Sequence, residues 1–302
     1  MSLRRRAATP RNYRPVDADD HSAHIFELEA ARVQGDEAPP RQAPRRSLVF
    51  PVACLVFSLL FGIATYAARE ETEAAESERR TYSIFCYGDS LTHGTSDASD
   101  ALHPYAEYLE EELHRLAKST QAEEAAPTQV RHLGLPGWTA SSLLNHVHDG
   151  NVGLCNIIEN TPTLALVIIL VGTNDIGQMT NVDKAAGRSI IQSIVDLHTR
   201  ALQCAEGEAR VPFRTLAVGI PGSAFQDMTP AAADMAAYVN GAVETFAASR
   251  DEVSYFDFPL PYREADERWS SDGLHLTPAG YRALAEALAP QVQKILNGMD
   301  SL

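Results

Sequence analysis

Strand-like and helical segments alternate along residues 81–298, and this alternation predicts an α/β fold built on a parallel sheet. Two further observations support it. Segment 164–171 (LALVIILV) is apolar at every position, as expected of a parallel strand covered on both faces; a half-exposed strand would alternate. The chain's 302 residues, 45% of them hydrophobic, suffice for one core of ordinary size plus an extra segment, so one folded domain is expected rather than two.

The segments follow in order. Residues 1–47 mix Arg, Asp, Glu, Pro and Ala without a sustained period and read as a disordered cytosolic tail. Residues 48–68 (LVFPVACLVFSLLFGIATYAA) carry no charge and are long enough to span a bilayer as a helix, with Pro51 in the first turn. Arg41, Arg45 and Arg46 precede the span, and Glu70, Glu71, Glu73, Glu76 and Glu78 follow it, so the positive-inside rule leaves the N-terminus cytosolic. The expectation is a single-pass type II signal anchor with the domain lumenal or extracellular. The rival is a signal peptide cleaved after Ala67, which would leave a secreted protein. Residues 69–80 read as a charged stalk.

Strands are predicted at 81–87, 129–135, 164–171, 214–220 and 253–258. Helices are predicted at 104–118, 141–148, 185–205, 231–249 and 277–296, the last with Thr277 as N-cap and Pro278 as first residue.

The net charge is -15, and it divides unevenly: nine basic and seven acidic residues up to Arg46, against 16 basic and 33 acidic from Arg69 onward. An acidic domain repels phosphate backbones, which argues against a nucleic-acid partner. The four cysteines, Cys54, Cys86, Cys155 and Cys204, form no CxxC or Cys/His cluster at metal-ligand spacing, so no metal site is read. Cys155 and Cys204 are able to pair in an oxidising compartment, but free buried thiols are the commoner state and are the expectation.

In open parallel sheets, reactive groups gather beyond the C-terminal ends of the strands. The first strand leads into Gly88-Asp89-Ser90, the second into Gly134-Leu135-Pro136-Gly137, the third into Gly172-Thr173-Asn174-Asp175, and the last helix is preceded by Asp272-Gly273-Leu274-His275. These are the residue types that acyl transfer needs. Ser90, at a strand-to-helix turn, offers an exposed hydroxyl and its own N–H; His275 is a base; Asp272 can fix its tautomer. Asn174 offers a side-chain NH2, and Gly137 allows close backbone approach. The absence of a G-x-S-x-G elbow disfavours the α/β-hydrolase fold. The plainer alternatives are Ser90 as a helix cap and Asn174-Asp175 as an Asx turn. Asp89 and Asp175 are expected to hold loops. His93, His103, His132, His146, His148 and His198 are expected at the surface or in packing.

GDSLTHG, the Gly137 turn, GTND and DGLH, in this order, resemble the four blocks of the SGNH-hydrolase (GDSL esterase/lipase) family over roughly residues 81–296. The GLPGWT wording is similar to arylesterase-like members. The resemblance implies a three-layer, flavodoxin-like sheet of five parallel strands in the order 2-1-3-4-5, and ester hydrolysis without metal or other cofactor. It implies Ser90 as nucleophile, Asp272 and His275 as the rest of a triad, and Gly137 and Asn174 as completing the oxyanion hole. One departure is His132, where the family often has Asn; altered hydrogen bonding under the Ser90 turn is the expected consequence.

The leading expectation is therefore a serine esterase for short to medium acyl groups, because the candidate pocket loops 95–103, 176–182, 222–229 and 262–271 are short and polar. Their large apolar residues are few: Ile176, Met179, Phe225, Met228, Tyr262 and Trp269. The partners expected are a small-molecule, lipid or glycan ester and, through 48–68, a membrane. The alternatives are an acyl or acetyl esterase or transferase on glycans, and a catalytically silent membrane-tethered binding module, which the intact triad disfavours.

Overall fold

The computed structural model describes residues 82–97, 101–119, 128–179, 183–206, 211–264 and 266–299. The expected tail, span and stalk lie outside these residues. Among the described residues, no helix is long and apolar enough to cross a membrane.

Five strands form one sheet: β1 (Ser83–Gly88), β2 (Gln129–Gly134), β3 (Leu164–Leu170), β4 (Arg214–Val218) and β5 (Val253–Phe256). All neighbours pair in parallel, in the order β2-β1-β3-β4-β5. The predicted strands are all present, each ending within a residue or two of expectation. The fourth stops at Val218 rather than 220, because the amide of Ile220 donates to the Asn240 side chain instead of continuing the ladder.

Nine helices complete the described residues: α1 (Ser90–His93), α2 (Tyr105–Ser119), α3 (Ala140–Asn145), α4 (Leu154–Glu159), α5 (Thr173–Gln178), α6 (Lys184–Cys204), α7 (Ala224–Met228), α8 (Pro230–Ala248) and α9 (Pro278–Met299). Helix α3 ends three residues before the predicted 148. Three short helices, α4, α5 and α7, were not predicted. At five or six residues they complete too few turns for an apolar period to show. The cap of α9 is as expected, with Thr277 Oγ1 accepting from the Gly280 amide at 3.2 Å.

Side chains alternate across the sheet and sort into two cores. On one face Ile84, Cys86, Leu166, Ile168 and Leu216 meet α2 and α9. On the other, Phe85, Tyr87, Val167, Ile169 and Ala217 meet α3, α4, α6 and α8. Every residue of β3 is buried, so the uniformly apolar reading of 164–170 reflects helices on both faces. Each such Leu or Ile contributes about 1.5–3 kcal/mol by leaving water.

Cysteines 155 and 204 are bonded to each other, correcting the expectation of free thiols. Helices α4 and α6 bring their Cα atoms to 5.4 Å, across 49 residues of sequence. Cys86 is the free, buried thiol among the described residues, and burial pushes its pKa up to about 12. His198 is wholly buried and donates or accepts through Nδ1 at Thr215 Oγ1; burial drives its pKa down to about 3, so it packs as a neutral ring.

The strand order reverses direction between β1 and β3. Their C-terminal ends mark the switch point beyond which open α/β sheets bind ligands.

Candidate active site

The turn after β1 is capped by its neighbour, not by Ser90. Asp89 has extended backbone, and its Oδ1 accepts from the Leu91 amide at 3.0 Å, making Asp89 the N-cap of α1 and Ser90 its first residue. Asp89 is completely buried. Burial raises its carboxyl pKa to about 7 against the pull of the Leu91 amide, and the nearby Asp175 adds to the rise. Ser90 is itself buried at 6% exposure, contrary to the expected exposed hydroxyl, because its Oγ is covered by the His275 ring. Its amide has no backbone acceptor among the described residues.

The turn after β2 is fastened by α5. The Asn174 side chain donates to the Trp138 carbonyl at 3.0 Å, Gln178 donates to the Gly137 carbonyl at 3.3 Å, and Asp175 Oδ2 accepts from the Ala140 amide at 2.9 Å. Asn174 and Asp175 thus lie in a short helix rather than an Asx turn. One N–H of the Asn174 side chain is committed to Trp138, which leaves the other. Gly137 has φ of +79°, and a Cβ there would meet nothing within 4 Å. The residue is needed for its left-handed backbone beside open space, where a substrate could lie against it. Its amide, like that of Ser90, has no backbone acceptor among the described residues.

The third turn lies just before α9. Asp272 Oδ1 accepts from the amides of Leu274 and His275, both at 2.9 Å, and its Oδ2 accepts from His275 Nδ1 at 2.6 Å. Burial would raise the Asp272 pKa, but the bonds from the His275 ring and these amides outweigh it and hold the carboxyl below its usual range. An ionised carboxylate only accepts, so Nδ1 carries the proton. Nε2 is then the acceptor for Ser90 Oγ, 2.8 Å away. The geometry meets the distance requirement for a hydroxyl and its base, with the base oriented by a third group.

The five residues singled out in the sequence therefore fall on three adjoining turns, with Ser90, His275 and Asp272 in one hydrogen-bonded chain and Asn174 joined to the Gly137 turn. Asp89 and Asp175 hold loops as expected. His132 is half-buried on β2, and burial lowers its pKa. Among the expected pocket residues, Ile176 and Trp269 are buried in the two cores rather than exposed at the site, while Phe225 and Met228 are exposed on α7. Asp97 escaped the sequence reading. Its carboxylate accepts from the Ser271 and Asp272 amides at 3.2 and 3.0 Å and from the Ser271 hydroxyl.

Comparison with known proteins decides the family. The model of the GDSL-like lipase/acylhydrolase family matches residues 86–283, about two-thirds of the chain and all three turns. The chain belongs to this family. It is a carboxylic ester hydrolase of the GDSL (SGNH) type, a class acting on small-molecule esters. No curated protein sequence matches it significantly. Among solved structures it is similar to Est24, a carbohydrate acetylesterase from Sinorhizobium meliloti, at 22% identity and a TM-score of 0.51, covering 71% of this chain and 100% of that one. It is similar to an aryl esterase of M. smegmatis at 23% identity and a TM-score of 0.52, with the same coverage. A lipase/acylhydrolase from Enterococcus faecalis gives 16% identity and a TM-score of 0.52, covering 71% of this chain and 96% of that one. At such identities the likeness establishes the fold of this GDSL hydrolase.

One further cluster lies apart from the three turns of the hydrolase. The potential ligand atoms of His148, Cys155 and Cys204 are all within 4.8 Å of one another. The sequence spacing hid this group because it is assembled from three separate segments. The two sulfurs are bonded to each other, so the cluster offers a metal only one imidazole.

Proposed function

We propose that the chain is a serine esterase for short to medium acyl groups, acting through a Ser90–His275–Asp272 triad. The observation that carries this reading is the continuous chain Asp272 Oδ2–His275 Nδ1 (2.6 Å) and His275 Nε2–Ser90 Oγ (2.8 Å). Ser90 Oγ attacks the ester carbonyl while its proton passes to Nε2. The carbonyl oxygen becomes an oxyanion, received by the amides of Ser90 and Gly137 and the remaining N–H of Asn174. The C–O bond then breaks, and the alcohol leaves with the proton from Nε2. Water repeats the sequence on the acyl-enzyme and releases the acid. Asp272 holds the ring and stabilises it while it carries both protons. The acyl length follows from the short, polar loops around the site.

The same reading places the hydrolase on the far side of a membrane, tethered by residues 48–68 through the 69–80 stalk. The charge asymmetry around the apolar run supports the orientation. The Cys155–Cys204 disulfide supports an oxidising compartment for the folded part.

A panel of activated acyl esters of increasing chain length, phospholipids and acetylated glycans, assayed with the full chain in detergent, tests the substrate class. Turnover is expected to be highest on short acyl esters and to vanish with Ser90→Ala. Equal turnover by that variant would sink the triad, and a preference for long acyl chains would sink the acyl-length assignment. Protease added to sealed vesicles should trim the arginine-rich tail and spare the hydrolase. Digestion of the hydrolase from the cytosolic side would invert the topology, and release of a form beginning near Ala68 by alkaline carbonate would make the enzyme secreted.

A further inference from the structure

The base turn of this hydrolase is more exposed than its nucleophile turn. The side chain of Asp272 is 35% exposed, and that of His275 15%. Water competes for the Asp272 carboxylate, and the bond to Nδ1 forms only while the backbone of 271–275 keeps its shape. The inner end of this turn is closed within itself, by the Ser270 amide on the His275 carbonyl at 2.8 Å and by the Gly273 amide on the Ser270 carbonyl at 3.0 Å. At its outer end the Asp272 carboxylate folds back on the Leu274 and His275 amides, while the Ser271 and Asp272 amides themselves are bonded by Asp97.

Asp97 stands four residues beyond the end of α1, in the segment that leaves the nucleophile. Its Oδ1 accepts from the Ser271 amide at 3.2 Å. Its Oδ2 accepts from the Asp272 amide at 3.0 Å and from the Ser271 hydroxyl. Ser96 and Ser270 meet beside it, Oγ to Oγ, at 3.2 Å. The segment is itself anchored, since the Tyr281 hydroxyl donates to the Thr95 carbonyl at 2.6 Å. Only a carboxylate can accept at both oxygens here; an amide would present a donor to a donor on one side. The hydroxyls of Ser271 and Ser270 hold the Asp97 carboxyl below its usual range, which favours the ionised form that accepts at both oxygens.

We infer that Asp97 is a positioning residue of this esterase: it pins the outer end of the 271–275 turn so that Asp272 stays on His275 Nδ1, and so joins the base turn to the segment that carries the nucleophile. The inference rests on the triad reading above. Asp97 touches neither Ser90 nor His275, and it acts through the backbone of Asp272. Its loss lets the carboxylate swing away from the ring for part of the time, which lowers the rate of the chemical step and leaves ester binding alone.

Steady-state kinetics of the full chain on an activated short-chain ester test this, comparing wild type, Asp97→Ala, Asp97→Asn, Asp272→Ala and the Asp97→Ala/Asp272→Ala pair. Asp97→Ala should lower kcat by about tenfold, with KM within about twofold, as displacement of a catalytic group does. Asp97→Asn, which keeps one acceptor, should fall between. In the Asp272→Ala background, adding Asp97→Ala should change kcat by less than about twofold, because the two residues act as one unit. The melting temperature of Asp97→Ala should stay within about 3 °C of wild type. An unchanged kcat in Asp97→Ala overturns the inference while leaving the triad intact. So does a tenfold loss that persists without Asp272, or one that appears in KM. Full activity in Asp272→Ala would instead break the triad reading, and the role of Asp97 with it.

Discussion

The turn that carries Ser90 and the turn that carries His275 are held by different forces. Around Ser90 the buried Asp89 cap is backed by close packing of backbone. A Cβ on Gly88 would lie 2.0 Å from the Leu170 carbonyl oxygen, and one on Gly134 would lie 2.0 Å from the His93 amide nitrogen. Nothing there can shift without moving the sheet. Around His275 carboxylate–amide bonds at partly exposed positions add to the turn's own backbone bonds. Ser90, the proposed nucleophile, is thus held chiefly by close backbone packing, whereas His275, the proposed base, depends more on exposed carboxylate bonds. Stability and catalysis should therefore separate in the second turn and stay coupled in the first.

Replacing Asp272 by Asn is the strongest way to break that comparison. The change is nearly isosteric but frees His275 to adopt the wrong tautomer, so kcat should fall by about 10⁴-fold. The melting temperature should hardly move; a collapse of thermal stability would mean that the base turn is structural after all. The next largest effect concerns neither turn. Cys204→Ser opens a loop of 49 residues and should cost up to about 4 kcal/mol in denaturant melts while leaving kcat on the short ester as it was. A loss of kcat there would tie the α4–α6 staple to the site. Asn174→Ala, by removing one oxyanion donor, should slow acylation by about a hundredfold. A defect confined to KM would make Asn174 a binding group.

The smallest effect is a matter of pH and sharpens the steric side. Asp89 has a pKa of about 7 when folded, against 3.8 as its ordinary value. Between those values the folded protein holds a proton that the unfolded chain has lost, so stability falls as pH rises through that window and stays reduced above it. Asp89→Asn keeps an oxygen to cap α1 and does not titrate. It should match wild type near pH 4 and exceed it progressively as pH rises towards 7, measured as unfolding free energy. Equal pH profiles would mean that Asp89 is ionised beneath the nucleophile.

What could be read in advance follows the same division. The sheet was legible because β3 is apolar without a break and because α2, α6 and α9 have long faces with a clear period. The order of the strands came through likeness of four short blocks, not from any property of the strands. The three turns were legible because each block ends a strand or begins a helix, and the reactive side chains lie within the blocks. Helices α4, α5 and α7 were hidden by their shortness. The disulfide was hidden because only the docking of α4 on α6 brings its halves together. Asp97 was hidden for another reason: a carboxylate that accepts from backbone amides 174 and 175 residues away leaves no mark in its own neighbourhood. The expected exposure of Ser90 failed on a local detail, because the His275 ring lies hydrogen-bonded against the hydroxyl.

The hydrogen bond between His275 and Ser90 joins residues 185 positions apart. The proposed nucleophile is made 185 residues before its proposed base, which stands directly before the helix that packs against α2 to finish one of the two cores. During synthesis, therefore, the hydroxyl waits for this acceptor until the intervening residues have been added. Contacts of such long range form late, after the entropy of closing the loop has been met by the packing around it. Hydrolytic power then arrives together with completion of the core, and a chain stalled or clipped before its last helix is inert by construction of the fold, with no separate inhibitor required.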